Sequence, residues 1–185
     1  MAFVLDLSQA SADHNGKLES YSVDAAHATL LSPGDVVRIT GTARTTDGLA
    51  GADAAAASQS VTGIIAAVAP QFVGENLTET GLPALTEGTV ECHVDPMINF
   101  IADVSNGTLA VTNVGQNINL DATAATKTGG LTISNMAVDA STAATTASLP
   151  FRIVGLVEND SGVIDGTKAR VRINNSTFKA GATGV

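Results

Sequence analysis

Leu149-Pro-Phe-Arg-Ile-Val-Gly-Leu-Val157, followed by Glu158-Asn-Asp-Ser-Gly162, Asp165-Gly166 and then Ala169-Arg-Val-Arg-Ile173, decides the fold class. The first run is apolar, of strand length and rich in β-branched side chains, with Pro150 near its start. The last alternates apolar and basic residues, so one of its faces must be wet. The Asp, Asn and Gly residues between them supply the conformations that a hairpin loop needs. Two antiparallel strands joined by that loop form the first unit of an all-β chain.

The same signals recur outward from this hairpin. Asp35-Val-Val-Arg-Ile-Thr40 follows the turn Ser32-Pro-Gly34, and Val61-Thr-Gly-Ile-Ile-Ala-Ala-Val68 ends at Pro70. The alanines of the second run also allow a helical reading, which Gly63 and the β-branched residues oppose. Thr89-Val-Glu-Cys-His-Val94 precedes Asp95-Pro96. Asn99-Phe-Ile-Ala-Asp-Val104 runs into Asn106-Gly107, a strong turn dipeptide, which predicts a hairpin with Thr108-Leu-Ala-Val-Thr112. Gln116-Asn-Ile-Asn-Leu120 alternates as a half-exposed strand should, and Leu131-Thr-Ile133 is a short strand after Gly129-Gly130. Leu49 to Ser58 is read as one helical turn or a long loop.

Short strands at regular spacing predict an antiparallel β-sandwich or jelly-roll-like barrel. We expect a single β domain over residues 31–185, preceded by an N-terminal arm over 1–30. No internal repeat of fixed period is visible. The arm's apolar residues Phe3, Val4, Leu5 and Leu7 are candidates for contact with a partner or, alternatively, for a sheet-edge strand on the chain's own domain. The small polar run Ser141 to Ser148, with Ser141, Thr142, Thr145 and Thr146, is either a solvent loop or a surface that lets another backbone approach closely.

Composition narrows the function. Aromatic residues are 3% of the chain, with no Trp and one Tyr, so the core rests on Ala, Val, Ile and Leu. Charged residues are only 15% and the net charge is −9, with nine Lys and Arg scattered singly. That pattern argues against direct binding to nucleic acid or to an anionic membrane, both of which call for clustered positive charge. The single Cys92 cannot form an intrachain disulfide. No basic stretch precedes an apolar run at Met1–Leu7, so no signal peptide is expected. The longest apolar run, Ile64 to Pro70, is far shorter than the ~20 residues that span a bilayer.

Catalytic and metal-binding patterns are missing from the sequence. His14 lies in a polar stretch. Cys92 and His93, adjacent on a strand, point to opposite faces and cannot converge on one atom. Glu158, Asp160 and Asp165 crowd one loop, but without the calcium-loop alternation of oxygen ligands around a central Gly and a closing Glu. No glycine-rich phosphate loop follows any strand. The expectation is a non-enzymatic protein with no cofactor and no metal.

Several phrases, in order, resemble the small cement or decoration proteins of tailed-bacteriophage heads. They are Leu31-Ser-Pro-Gly-Asp-Val-Val37, Thr62-Gly-Ile-Ile-Ala-Ala-Val68, Val94-Asp-Pro-Met-Ile-Asn-Phe100 and Val114-Gly-Gln-Asn-Ile-Asn-Leu120, then Asp139 to Val157, and Val171-Arg-Ile-Asn-Asn175 closing on Gly181-Ala-Thr-Gly-Val185. Residues 1–30 match less well, and no role carries over to them. The resemblance implies a virion protein made in the host bacterial cytoplasm and placed on the outer capsid surface. There it would bridge copies of the major capsid protein, acting as a homodimer or homotrimer. The rival within the same class is another virion structural module, such as a tail-tube, head–tail joining or fibre-base protein. A carbohydrate-binding sandwich fits poorly, because Tyr21 is the one Tyr and no Trp offers a stacking platform.

Overall fold

Among the described residues, short β-branched runs separated by Gly, Asn and Asp turns give fifteen strands and no α-helix. The computed structural model describes residues 2–6, 18–69, 71–73, 76–159, 161–179, 181 and 184. After the short β1 (Val4–Leu5), β2 (Glu19–Val23), β3 (Val36–Ala43), β4 (Ala50–Ala54), β5 (Gly63–Val68) and β8 (Gly88–His93) close into a barrel in the order β2-β4-β3-β5-β8. A second ring is built from β9 (Asn99–Ser105), β10 (Asn117–Asp121), β13 (Ala137–Ala144), β14 (Phe151–Leu156) and β15 (Lys168–Ile173). Its order is β9-β13-β10-β14-β15, and β15 pairs back onto β9. The expected all-β barrel is therefore present twice.

The two rings share one topology. In each, the first strand runs parallel to the third, through Ser22↔Gly51 and Val104↔Val138, and the other pairings are antiparallel. The likeness extends to single residues. Ser32-Pro-Gly-Asp35 and Asn113-Val-Gly-Gln116 are the same turn, with Gly34 at φ 90° and Gly115 at φ 91°. Both turns close with a bond from the fourth N–H to the first carbonyl, at 3.0 Å in each, the type II geometry that favours Gly at the third position. Gly34 N–H donates to the Ile65 carbonyl at 2.8 Å, and Gly115 N–H to Ile153 at 2.9 Å. The register slips at matching places too, between Ile65 and Ala67 on β5 and between Ile153 and Gly155 on β14.

Strand alternation sorts the side chains. Val37, Ile65, Val90, Cys92 and Tyr21 point into the first barrel, with Leu31 and Leu82 in the same cluster. Their chain neighbours Val36 and Ile64 point outward, and with Val61 and Ala55 they join the core of the second barrel around Phe100, Ile118, Phe151 and Val171. Backbone bonds stitch the same seam: Val61 N–H to the Asn175 carbonyl at 2.9 Å and Thr177 N–H to Val61 at 2.8 Å. One continuous apolar cluster thus joins the two barrels.

Two hairpins interrupt the repeat at different points. β6 (Gln71–Val73) and β7 (Asn76–Glu79) lie between the fourth and fifth strands of the first barrel, and β11 (Thr126–Thr128) and β12 (Leu131–Ile133) between the second and third of the second. Gly129 and Gly130, at φ 59° and 89°, make the tight turn that positive φ at both central positions allows. The β11–β12 hairpin reaches back to the first barrel, where Thr132 N–H donates to Thr80 Oγ1 at 2.9 Å.

Several sequence expectations are corrected. Glu19–Val23, assigned to the arm, is a barrel strand whose Tyr21 and Val23 are buried. Leu49 to Ser58 is neither helix nor plain loop, because β4 occupies Ala50–Ala54. Gly51 has no room for a side chain: a Cβ there would fall 2.6 Å from Thr40 Oγ1. Thr108 to Thr112 does not pair with β9, whose edges are taken by β15 on one side and by β1 and β13 on the other. Leu109 N–H instead binds the Gly166 carbonyl at 3.0 Å, and a 3-10 turn covers Val111–Asn113.

Candidate functional site

The apolar N-terminus folds onto the chain itself. β1 pairs with β9 through Val4↔Ile101 and Leu5↔Phe100. Alternation buries Phe3, 3% exposed, and stacks its ring on Phe151 with centroids 4.8 Å apart. Leu5 is half-buried against the same core, and Val4 on the opposite face is 42% exposed. Asp6 is buried and forms an ion pair with Arg170 of β15. Of the four apolar candidates, Val4 therefore presents its side chain outward, while Leu7 lies outside the described residues.

The small polar run divides. Ser141 and Thr142 belong to β13, where Thr142 Oγ1 accepts from Asn119 N–H at 3.0 Å and donates to the Asp139 carbonyl at 2.6 Å. Ser141 is exposed and donates to Asp139 Oδ1 at 2.7 Å. Thr145 and Thr146 are exposed in the following loop. That loop is pinned from beneath: Asn117 Nδ2 donates to Thr146 O at 3.0 Å, Asn174 Nδ2 to Ala147 O at 3.0 Å and Leu149 O at 2.9 Å, and Asn175 Nδ2 to Ser148 O at 3.0 Å. The structure brings neither Phe3–Leu5 nor Ser141–Thr146 into a common site.

Cys92 lies inside the first barrel, where burial first and the nearby Glu19 and Glu91 second push its thiol up to about 12, the reverse of an activated nucleophile. His93 points out of the barrel toward the Phe100 ring, 6.2 Å away. Asp35, fully buried, accepts from Ser32 N–H at 2.7 Å and from the Ser134 hydroxyl. Burial lifts its carboxyl to about 6 against the pull of those bonds. In the loop after β14, Asp165 Oδ2 accepts from Asn159 Nδ2 at 2.6 Å and its Oδ1 from Thr167 N–H at 2.9 Å. Bonds from the Thr167 hydroxyl and N–H and from Asn159 lower its pKa. Among the described residues no group of three His, Cys, Asp or Glu side chains is placed to hold a metal.

Surface concavity offers more than chemistry does. A cleft of about 500 Å³ lies where β1, the Pro33–Gly34 turn and β12 meet. Val4, Leu131 and Ile133 border it, the last two 54% and 43% exposed. A second cleft of about 400 Å³ lies on the outer face of the second barrel, bordered by Met97, Val114, Arg152, Arg172 and Lys179. The strand Leu131–Ile133 was legible in the sequence, but nothing in it or around Met97 marked these apolar side chains as exposed beside a cleft. The basic alternation of Ala169 to Ile173 did mark one face as wet. Comparison with protein-family models, curated proteins and solved structures finds no match to this chain.

Proposed function

We propose that this chain is a non-enzymatic structural protein of a bacteriophage head, which binds the outer capsid surface and bridges copies of the major capsid protein. The observation that carries the reading is the apolar ridge of Val4, Leu131 and Ile133 around the first cleft, presented on strand edges. Exposed apolar side chains gathered on one concave face mark a protein–protein contact, and the ordered resemblance of residues 30–185 names the class of partner. Repetition of the site around a symmetric shell multiplies a modest contact into firm attachment.

Sedimentation with undecorated shells tests this. The wild-type protein should co-pellet, and Leu131→Asp with Ile133→Asp should weaken binding tenfold or more while the thermal melt is kept. A wild-type protein that stays in the supernatant sinks the reading. The doubled barrel favours one rival, a tail-tube, head–tail joining or fibre-base part, since like units side by side suit a ring. Rings or tubes formed by the purified protein alone would select that rival.

A further inference from the structure

The chain leaves β2 through the turn Asp24-Ala-Ala-His27, closed by His27 N–H to the Asp24 carbonyl at 3.1 Å and by Ala26 N–H to Asp24 Oδ1 at 2.7 Å. The His27 carbonyl accepts from Leu85 N–H at 3.0 Å, which ties the turn to the chain ahead of β8. Ala52 of β4 belongs to the interior of the first barrel, so alternation turns Asp53 to the outer face. Thr40 and Thr42 of β3 share that face with Gly51, their hydroxyls 2.8 Å apart. Between the turn and these strands lies a pocket of about 240 Å³, lined by Asp24, His27, Thr40, Thr42 and Asp53.

His27 is the unusual member of this lining. It is 3% exposed, yet neither ring nitrogen has a hydrogen-bond partner, and a buried polar group left in that state is costly. Desolvation by burial holds its pKa below the usual value, against the pull of Asp53 and Asp24. At neutral pH the ring is therefore uncharged, and one of its nitrogens is an acceptor. Asp24 and Asp53 each use one oxygen on a nearby N–H, that of Ala26 and that of Ala54. Among the described residues neither carboxylate joins an ion pair, not even with Arg38, which stands opposite Asp53 in the ladder. No Lys or Arg lines the pocket.

We infer that this pocket binds an arginine side chain of a partner protein, its guanidinium held by the Asp24 and Asp53 carboxylates and the His27 ring. Two carboxylates and a neutral imidazole with no cation among them call for a positively charged donor. A metal ion or a single ammonium nitrogen needs its acceptors drawn to one point, and among the described residues no three His, Cys, Asp or Glu side chains are so placed. A guanidinium spreads five N–H donors over a planar fork and reaches acceptors set farther apart. Its entry turns the imidazole about the broad χ2 torsion and brings a nitrogen to the ligand. A second copy of this chain fits less well. Its Arg44 and Arg170 already pair with Asp47 and Asp6, and its Arg152 and Arg172 bond to Asn117 and Asn99. The inference deepens the proposed function by naming one contact on the capsid partner, and it rests on that reading only for the partner's identity.

The test has two arms. In the first, the terminally blocked pentapeptide Ala-Ala-Arg-Ala-Ala is titrated into labelled full-length protein and followed by NMR. Saturable shifts are expected at the His27 ring and at Asp24, Thr42 and Asp53, with the same peptide carrying Lys or citrulline binding more weakly. Asp24→Asn with Asp53→Asn keeps the oxygens that accept from Ala26 and Ala54 N–H and should reduce affinity about tenfold or more. Ala26→Lys, at an exposed position on the pocket's rim, should do the same. Absent shifts, equal binding of the Lys or citrulline peptide, or unchanged affinity in the variants overturn the inference. Self-association of the wild type that the variants abolish would overturn it in favour of a second copy. In the second arm the same variants are sedimented with shells, and weaker pelleting than wild type is expected. Variants that pellet as well as wild type remove the pocket from capsid binding and leave the proposed function standing. Wild type that does not pellet removes the proposed function, and the peptide arm alone then decides the pocket.

Discussion

Asp35 shows how a turn residue becomes a pH-sensitive brace. The Ser-Pro-Gly-Asp sequence announced the turn, but nothing in it announced Ser134, 99 residues away in sequence and in contact only because β12 folds back over the first barrel. Burial raises the carboxyl from an ordinary 3.8 to about 6, so the folded state holds a proton that the unfolded chain releases. The stability that this proton confers is complete below the unfolded value and is lost as pH rises through about 6. The difference corresponds to roughly 3 kcal/mol. Asp165 acts in the opposite sense: its folded pKa is lowered, so its contribution is present above the unfolded value and fades as acid reaches the folded one. His27, buried and held below its usual value by desolvation, likewise loses stability in acid. The Asp35 term must therefore be read by difference. Asp35→Asn keeps the acceptor for Ser32 N–H and cannot ionise. Urea unfolding at pH 4 and pH 7 should show the gap between wild type and variant moving against wild type by up to about 3 kcal/mol as pH rises. A gap equal at both pH values would show that Asp35 does not titrate in this range.

Among the elements, those with periodic or β-branched sequences were legible: β3, β5, β8, β9, β10, β12, β14 and β15 all lie within or beside the runs that announced them. The failures have physical causes. β4 is built from alanine with Gly51, residues that carry little strand propensity, and the close approach of Thr40 and Thr42 that requires Gly51 is not visible in the sequence. β13 looked like a loop because its Ser and Thr residues bond within their own strand and to Asn119. The loop that follows it owes its shape to donors that no local pattern reveals. Asn174 satisfies two carbonyls, those of Ala147 and Leu149, from a half-buried position, whereas Asn175 reaches Ser148 at the exposed rim. Asn174→Ala should cost about 2–3 kcal/mol, since two carbonyls lose a donor where water enters poorly. Asn175→Ala should cost less than about 1 kcal/mol, because solvent replaces the lost bond. Equal costs in denaturant melts would mean that the loop is held by something other than the Asn174 amide.

The whole molecule is a repeat that its sequence conceals. Ser32-Pro-Gly-Asp35 matches Asn113-Val-Gly-Gln116, and Ile65 matches Ile153, yet the interval between equivalents changes from element to element. Each barrel carries its extra hairpin at a different point of the cycle, so no fixed period survives. The outer faces have also diverged: Ile64 is apolar and joins the seam between barrels, while its counterpart Arg152 is charged and stands outside the core cluster. That divergence is what turns two like barrels into one cooperative unit, because the first barrel lends Val36, Val61 and Ile64 to the core of the second. Tyr21, the one Tyr in a chain with no Trp, sits inside the first barrel and reports on it alone by fluorescence. Far-UV circular dichroism reports on both. In wild type the two signals should fall together in urea, as expected when unfolding either barrel strips the shared core. Ile64→Ala removes buried contacts from the seam at a cost of about 2–5 kcal/mol, and it leaves the interior of the first barrel, on the other side of β5, untouched. The circular dichroism transition should then begin at lower urea and separate from the Tyr21 transition, because the lost contacts belong to the core of the second barrel. Coincident curves in the variant would show that Ile64 does not couple the barrels, and separated curves in wild type would show that the barrels unfold independently.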